Sequence, residues 1–126
     1  MPVYDIHAVA HATDLKPKQV DNLLSRNSVV GRQKKRRGLA RRVGTDTVVA
    51  IRIAMALASF FGVSVGAMMS TAENLASSTD GEIAIDGFLR LRIDQTALRA
   101  STRVRLDSAV ESVGVRRRGR PGQRTR

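Results

Sequence analysis

The sequence predicts a mainly α-helical fold with small β elements, and three observations carry that prediction. Apolar residues recur at i, i+3 and i+4, as Val20, Leu23 and Leu24 do, which is the spacing of one helix face. Short β-branched or alternating runs, Val29-Val30 and then Ile83 to Ile93, are bounded by turn residues and suit brief strands. The 126-residue chain has one Tyr, three Phe, no Trp and no Cys, so its core must be aliphatic, rich in alanine and free of disulfides. That length fits one domain, or a small domain with an appended element.

Taken in order, Asp5 stands where it can cap a first helix over residues 6–12. Thr13, Asp14 and Leu15 interrupt it. Pro17 suits the opening turn of a second helix that runs to about Arg26. Val20, Leu23 and Leu24 give this helix an apolar face, and Lys18, Gln19 and Asn22 a polar one, with Lys16 at its start. Two short helices about three residues apart are the pattern of a helix-turn-helix. Ala10 is small enough for the helix axes to approach closely, and Val20 and Leu23 are placed to lock the second helix onto the first. The turn needs a residue that tolerates left-handed backbone. Asp14 stands where glycine is usual, and Asp is among the few other residues that adopt this conformation at modest cost.

After Arg26 come Val29 and Val30, a glycine-containing basic loop over residues 31–42, and Val43. These predict a two-stranded wing. Thr45 and Asp46 are expected to cap a third helix over residues 47–61. The order helix, turn, helix, basic wing, long helix resembles the N-terminal DNA-binding domain of the MerR superfamily and its excisionase-like relatives, across roughly residues 4–61. That resemblance implies a winged helix-turn-helix with its second helix in the major groove. It also implies a wing against the adjacent backbone or minor groove, and dimers on paired half-sites.

Residues 57–76 mimic a second helix-turn-helix, with Ala58 small, Gly62 at the turn and Ser64 capping a helix to Ala76. Charge argues against a second DNA reader. No basic residue occurs from Ile53 to Leu89, whereas Glu73, Asp80, Glu82 and Asp86 are acidic. A DNA-facing helix without a cation loses most of its affinity. The expectation is a helical hairpin in the core or at a dimer interface. Next, Ile83 and Ile85, a turn at Asp86-Gly87, and Leu89, Leu91 and Ile93 predict a β-hairpin with Arg90 and Arg92 on its other face. Asp94 caps a last helix over residues 95–113, with Leu98, Leu106, Ala109, Val110 and Val113 facing one way. A lone hairpin is marginal, so this unit is expected to pack on the third and fourth helices or, in preference, on a second copy. The organisation expected is a DNA-binding domain over 1–61, a packing and dimerisation region over 62–113 and a disordered basic tail over 114–126.

The net charge of +11 is concentrated. Arg26, Arg32, Lys34, Lys35, Arg36, Arg37, Arg41 and Arg42 form one acid-free block, and Arg116, Arg117, Arg118, Arg120, Arg124 and Arg126 another; the remainder is −3. Two such blocks attract a phosphate backbone or an anionic membrane. Residues 53–69 are uncharged, yet Ser59, Gly62, Ser64 and Gly66 break them up, and they sit at the lower length limit of a span. No membrane segment or secretory signal is therefore expected, and the location expected is cytoplasmic, on the nucleoid.

Within the tail, Arg118, Gly119, Arg120 and Pro121 resemble the core of an AT-hook. There a glycine lets extended backbone lie in a narrow A·T minor groove while the arginines run along its floor. The alternative is a plain basic tail on phosphates. Lys34 to Arg37 should position the protein on phosphates. Gln19 and Asn22 suit adenine edges and Lys18 suits guanine.

His7 and His11 lie at i, i+4 with no evident third ligand beyond Asp5 or Asp14, so a structural pair in or beside the core is expected and no metal. No carboxylate pair, phosphate-cradling glycine loop or nucleophile triad stands out. The expectation is a non-enzymatic protein without cofactor or small-molecule ligand that binds double-stranded DNA as a homodimer. A transcriptional repressor of phage or mobile-element type leads. An excisionase-like DNA-bending factor and a phage small terminase subunit are the alternatives.

Overall fold

The chain opens with a strand that its hydropathy does not announce. β1 (Val3–Asp5) pairs antiparallel with β2 (Arg42–Gly44), Tyr4 opposite Val43. This computed structural model describes residues 3–26 and 42–118. Asp5 ends the strand in extended conformation, and its carboxylate accepts the Ala8 N–H at 2.9 Å, which caps α1 (Ile6–Thr13). Thr13 completes the helix rather than breaking it. Its hydroxyl donates to the Val9 carbonyl at 2.7 Å in a fully packed site.

The turn after α1 takes the predicted form. Asp14 is left-handed, at φ 60° and ψ 30°, and its N–H bonds the Ala10 carbonyl. Leu15 donates to that same carbonyl at 3.0 Å, closing the helix end in a Schellman pattern. α2 (Pro17–Arg26) follows, with Val20 and Leu24 fully buried and Leu23 half-buried. The expected wing strand at Val29-Val30 and its basic loop lie outside the described residues. β2, where the far arm of that wing was expected, pairs among the described residues with β1, a pairing not read from the sequence.

α3 (Thr45–Phe61) begins two residues earlier than expected. Gly44, not Thr45 or Asp46, is its N-cap, because Gly44 holds the extended backbone at the end of β2 and contributes no side-chain cap bond. α3 buries Val48, Val49, Ala50, Ile51, Ile53, Ala54 and Ala58. It ends as α1 does. Gly62 is left-handed at φ 72°, and the N–H groups of Gly62 and Val63 bond Ala58 at 2.8 and 3.1 Å. Ser64 then caps α4 (Val65–Ser77) through the Ala67 N–H, and Met69, Ala72, Leu75 and Ala76 are buried, so α3 and α4 form a helical hairpin in the core. Interrupted at Gly62, neither helix is long and apolar enough to cross a membrane, nor is any other helix of the described residues.

The predicted hairpin consists of β3 (Glu82–Asp86) and β4 (Leu89–Arg92). Its turn is one residue later than expected. Asp86 pairs with Leu89 after an irregularity at Ala84, so Gly87 and Phe88 form the turn. The Asp86 carboxylate accepts the Gly87 N–H at 2.6 Å. Ile83 and Leu91 pack against the core, whereas Ile85 and Leu89 remain about half exposed.

α5 (Gln95–Arg118) is capped by Asp94, which accepts the Ala97 N–H at 3.0 Å, and continues past the expected end at Val113. It lies mainly on α1 and also on α3. Thr102, Leu106 and Ala109 are buried; Val110, expected beside them, is 48% exposed because it lies on the flank of that face. The hairpin and last helix pack on the rest of the chain through Ile83, Leu91, Leu98 and Leu106, while Ile85, Leu89, Val104 and Val110 stay exposed. A single apolar cluster runs from Val9 to Leu106, across both expected regions.

Leu24→Ala should cost about 2–5 kcal/mol, since its side chain is wholly enclosed. Phe88→Ala, at a site 87% exposed, should stay within about 0.5 kcal/mol. Urea unfolding of both variants checks this contrast.

Candidate nucleic-acid interface

The helical period places Lys18, Asn22 and Gln19 within a third of a turn of one another, opposite the buried pair Val20 and Leu24. All three are exposed, and so is Lys16. The burial of one face forces the other outward. The polar face expected of α2 is therefore an exposed surface.

Beside it runs a groove of about 300 Å³ lined by Leu15, Gln19, Asn22, Leu23, Ser64 and Val65. It sets this polar face next to the start of α4, a neighbour the sequence did not indicate. Leu15, Leu23 and Val65 make its apolar part, and Gln19, Asn22 and Ser64 supply amide and hydroxyl groups.

Gln19 also has a structural role. Its Oε1 accepts the Lys16 N–H at 2.9 Å, so the third residue of the helix reaches back to satisfy a donor at its start. The signal was visible as a Gln two residues after Pro17. Asp21, on the flank of the face, puts one acid into the same helix.

The cationic blocks divide unevenly. Arg26 and Arg42 are placed in α2 and β2, and Arg116, Arg117 and Arg118 in α5, by backbone alone. Arg32, Lys34, Lys35, Arg36, Arg37, Arg41 and Arg120 lie outside the described residues, as do Gly119 and Pro121 of the hook-like tetrapeptide. Further cations are exposed outside the predicted site: Arg90 and Arg92 on the hairpin, as its alternation implied, and Arg103 on the last helix. Arg90 is within 3.9 Å of Glu82, a loose surface pair.

Three other arginines, half-buried or exposed, reach across to neighbouring elements. Arg99 donates to Asp46 at 2.7 Å, to the Ala76 carbonyl at 3.0 Å and to Gln95 at 3.1 Å, joining α5 to the start of α3 and the end of α4. Gln95 extends this cap by donating to the Ser78 carbonyl at 2.6 Å. Arg52 on α3 donates to Ser101 and Thr102 at 2.7 and 2.8 Å. Burial, and then the charge of Arg105, lower the Arg52 pKa, while Asp14 opposes them. Arg105 donates to the Ala12 carbonyl and to Asp14, both at 3.3 Å. The recurrence of Gln95, Leu98, Arg99, Thr102, Arg105, Leu106 and Ala109 at helical spacing was the signal for this inner face.

His7 and His11 are both exposed, so they lie outside the core, and α1 buries Ala8, Val9 and Ala12. His11 borders a groove with Asp14, Leu15, Val104, Arg105 and Ser108. Among the described residues, no three His, Asp or Glu side chains gather as metal ligands would. Comparison with family models, with curated proteins and with solved structures yields no match to this chain.

Gln19→Ala should lower stability by about 0.5–1.5 kcal/mol through removal of the cap, whereas Gln19→Glu should retain it. Asn22→Ala should leave stability unchanged within about 0.5 kcal/mol. Chemical denaturation of the three variants without DNA distinguishes capping from surface roles.

Proposed function

We propose that this protein is a sequence-specific double-stranded DNA-binding regulator of the winged helix-turn-helix type, acting as a repressor and as a homodimer. The observation that carries the reading is the α2 surface. Lys18, Gln19 and Asn22 stand exposed on a helix whose opposite face is locked by Val20 and Leu24, after a turn closed at Asp14. Amide side chains can make paired hydrogen bonds to adenine, and a lysine can contact guanine, from a helix lying in the major groove. Flat protein partners are less apt, because the face is polar and narrow.

The charge distribution supports the same reading. The acid-free block that includes Arg32, Lys34, Lys35, Arg36, Arg37 and Arg41 follows α2 directly and returns to β2 at the N-terminal strand. A cationic segment leaving the reading helix and rejoining the body fits a wing that grips backbone phosphates. The arginines after residue 115 supply a second contact, in a minor groove or on phosphates. No side chain in this arrangement calls for a catalytic role.

Selection of bound duplexes from a random pool should enrich a short two-fold-related site, read together with the mass of the free protein. On that site Asn22→Ala should cost about 1–3 kcal/mol of binding free energy, with little effect on random DNA. Retention of all pool sequences alike, at every salt concentration, would contradict the proposal. Deleting residues 116–126 should weaken binding and flatten the dependence of affinity on salt, by about one unit of slope for each phosphate no longer neutralised. Titrations between about 50 and 200 mM salt measure it. A larger loss on A·T-flanked sites would identify minor-groove insertion.

A further inference from the structure

Asp14 occupies a position where glycine is the unstrained choice, and the structure places a guanidinium beside its carboxylate. Left-handed backbone costs an L-residue something that glycine avoids, and Asp less than most. The last carbonyls of a helix also lack intrahelical donors. Both conditions meet at the end of α1, where Asp14 sits at φ 60° and the Ala12 carbonyl is in the last turn. One atom answers both: Nη1 of Arg105 donates to the Ala12 oxygen and to Asp14 Oδ2, each at 3.3 Å. Arg105 comes from α5, far away in sequence, and is held there by buried Thr102, Leu106 and Ala109 on the same helix face.

The direction of α2 relative to α1 is set by the three residues between them. Asp14 and Leu15 are tied to the Ala10 carbonyl from within, and Arg105 ties Asp14 and Ala12 from outside. We propose that Arg105 is a positioning residue: by holding the Ala12 carbonyl and the Asp14 carboxylate it fixes the turn, and with it the angle at which α2 presents Lys18, Gln19 and Asn22. The C-terminal helix is then part of the reading unit rather than an appendage to it. The binding consequence rests on the DNA reading above; the effect on the turn does not.

The test uses the full chain with Arg105→Met, which keeps the aliphatic stem, together with Arg105→Lys, Asp14→Gly and the Asp14→Gly/Arg105→Met double variant. Arg103→Met is the control. It removes the same charge from the same helix at an exposed position that makes no hydrogen bond or ion pair among the described residues. Amide hydrogen exchange without DNA reads the turn. Arg105→Met should speed exchange at Asp14 and Leu15 by about three- to tenfold relative to α3 amides, a coupling typical of contacting residues. Arg105→Lys should fall between it and the unmodified protein, and Arg103→Met should change nothing there.

On the selected duplex, Arg105→Met should weaken binding by about fivefold, with random-duplex binding and the salt slope unchanged. In the Asp14→Gly background, where the turn needs no restraint on a strained side-chain-bearing residue, the same change should cost less than about twofold. Unchanged exchange at Asp14 and Leu15 would overturn the positioning role. Equal loss on both duplexes, with the slope reduced by about one, would instead make Arg105 a phosphate contact. If the unmodified protein selects no duplex, the DNA reading falls, and the exchange data alone decide whether Arg105 fixes the turn.

Discussion

Most of this structure depends on enclosing one helix with almost no aromatic side chains, Tyr4 alone packing against the core among the described residues. α3 is apolar around much of its circumference, burying Val48, Val49, Ile51, Ile53, Ala54 and Ala58 against several neighbours. None of the three Phe residues enters that core; Phe60, Phe61 and Phe88 are all exposed. Small and aliphatic residues fill space only if the helices come close together. Ala10, Ala12, Ala50, Ala54, Ala72, Ala76 and Ala109 allow that approach, all of them buried. A dense alanine-lined interior supplies less apolar area per residue than an aromatic one, so helix ends and polar contacts carry more of the specificity of the fold.

α5 provides most of those contacts. Its inner face mixes Leu98 and Leu106 with Gln95, Arg99, Thr102 and Arg105, and each polar member closes a group that another helix leaves open. The carbonyls at the ends of α1 and α4 receive guanidinium donors, which favours these ends both as hydrogen bonds and as negative helix termini. Thr102 is the most demanding case. It is fully buried, and its hydroxyl donates to the Leu98 carbonyl while accepting from Arg52, so a single oxygen serves a half-buried cation and its own helix. An arginine inside such an interface is tolerated because its donors are engaged; burial alone would push it toward losing its charge.

The parts legible in the sequence were those dictated by local chemistry. Asp5, Ser64 and Asp94 as caps, Asp14 and Gly62 as left-handed closures, and Val20 and Leu24 as the buried face of α2 all follow from residue type and spacing over a few positions. What escaped was decided at long range. β1 consists of only Val3, Tyr4 and Asp5, too short for a periodicity, and exists because β2 lies against it. Gly44 took over capping from Thr45 and Asp46 because the strand pairing holds it extended, which frees the Asp46 carboxylate for Arg99. The inward arginines of α5 look, by composition, like any charged helix surface. Only the docking of α5 on α1 distinguishes Arg105, which faces the turn, from Arg103, which faces outward.

The candidate site shows the same division between short-range and long-range determinants, with a consequence for how it would work. α2 carries Lys18 and Arg26 against Asp21, with Lys16 just before it, too little net charge to hold a duplex by itself at physiological salt. Its exposed face is rich in hydrogen-bonding groups and poor in charge, the composition suited to discriminating base edges rather than to attracting phosphate. The attraction must come from elsewhere in the chain, and the two acid-free blocks are where the cations are. Between them lies a stretch from Ile53 to Leu89 without a single basic residue, which folds as the helical hairpin and the first part of the β-hairpin. Cations there would repel the flanking blocks and offer non-specific phosphate contacts away from α2. On the reading proposed above, a neutral-to-acidic middle leaves attraction to the two basic blocks of the sequence and discrimination to the exposed polar face of α2.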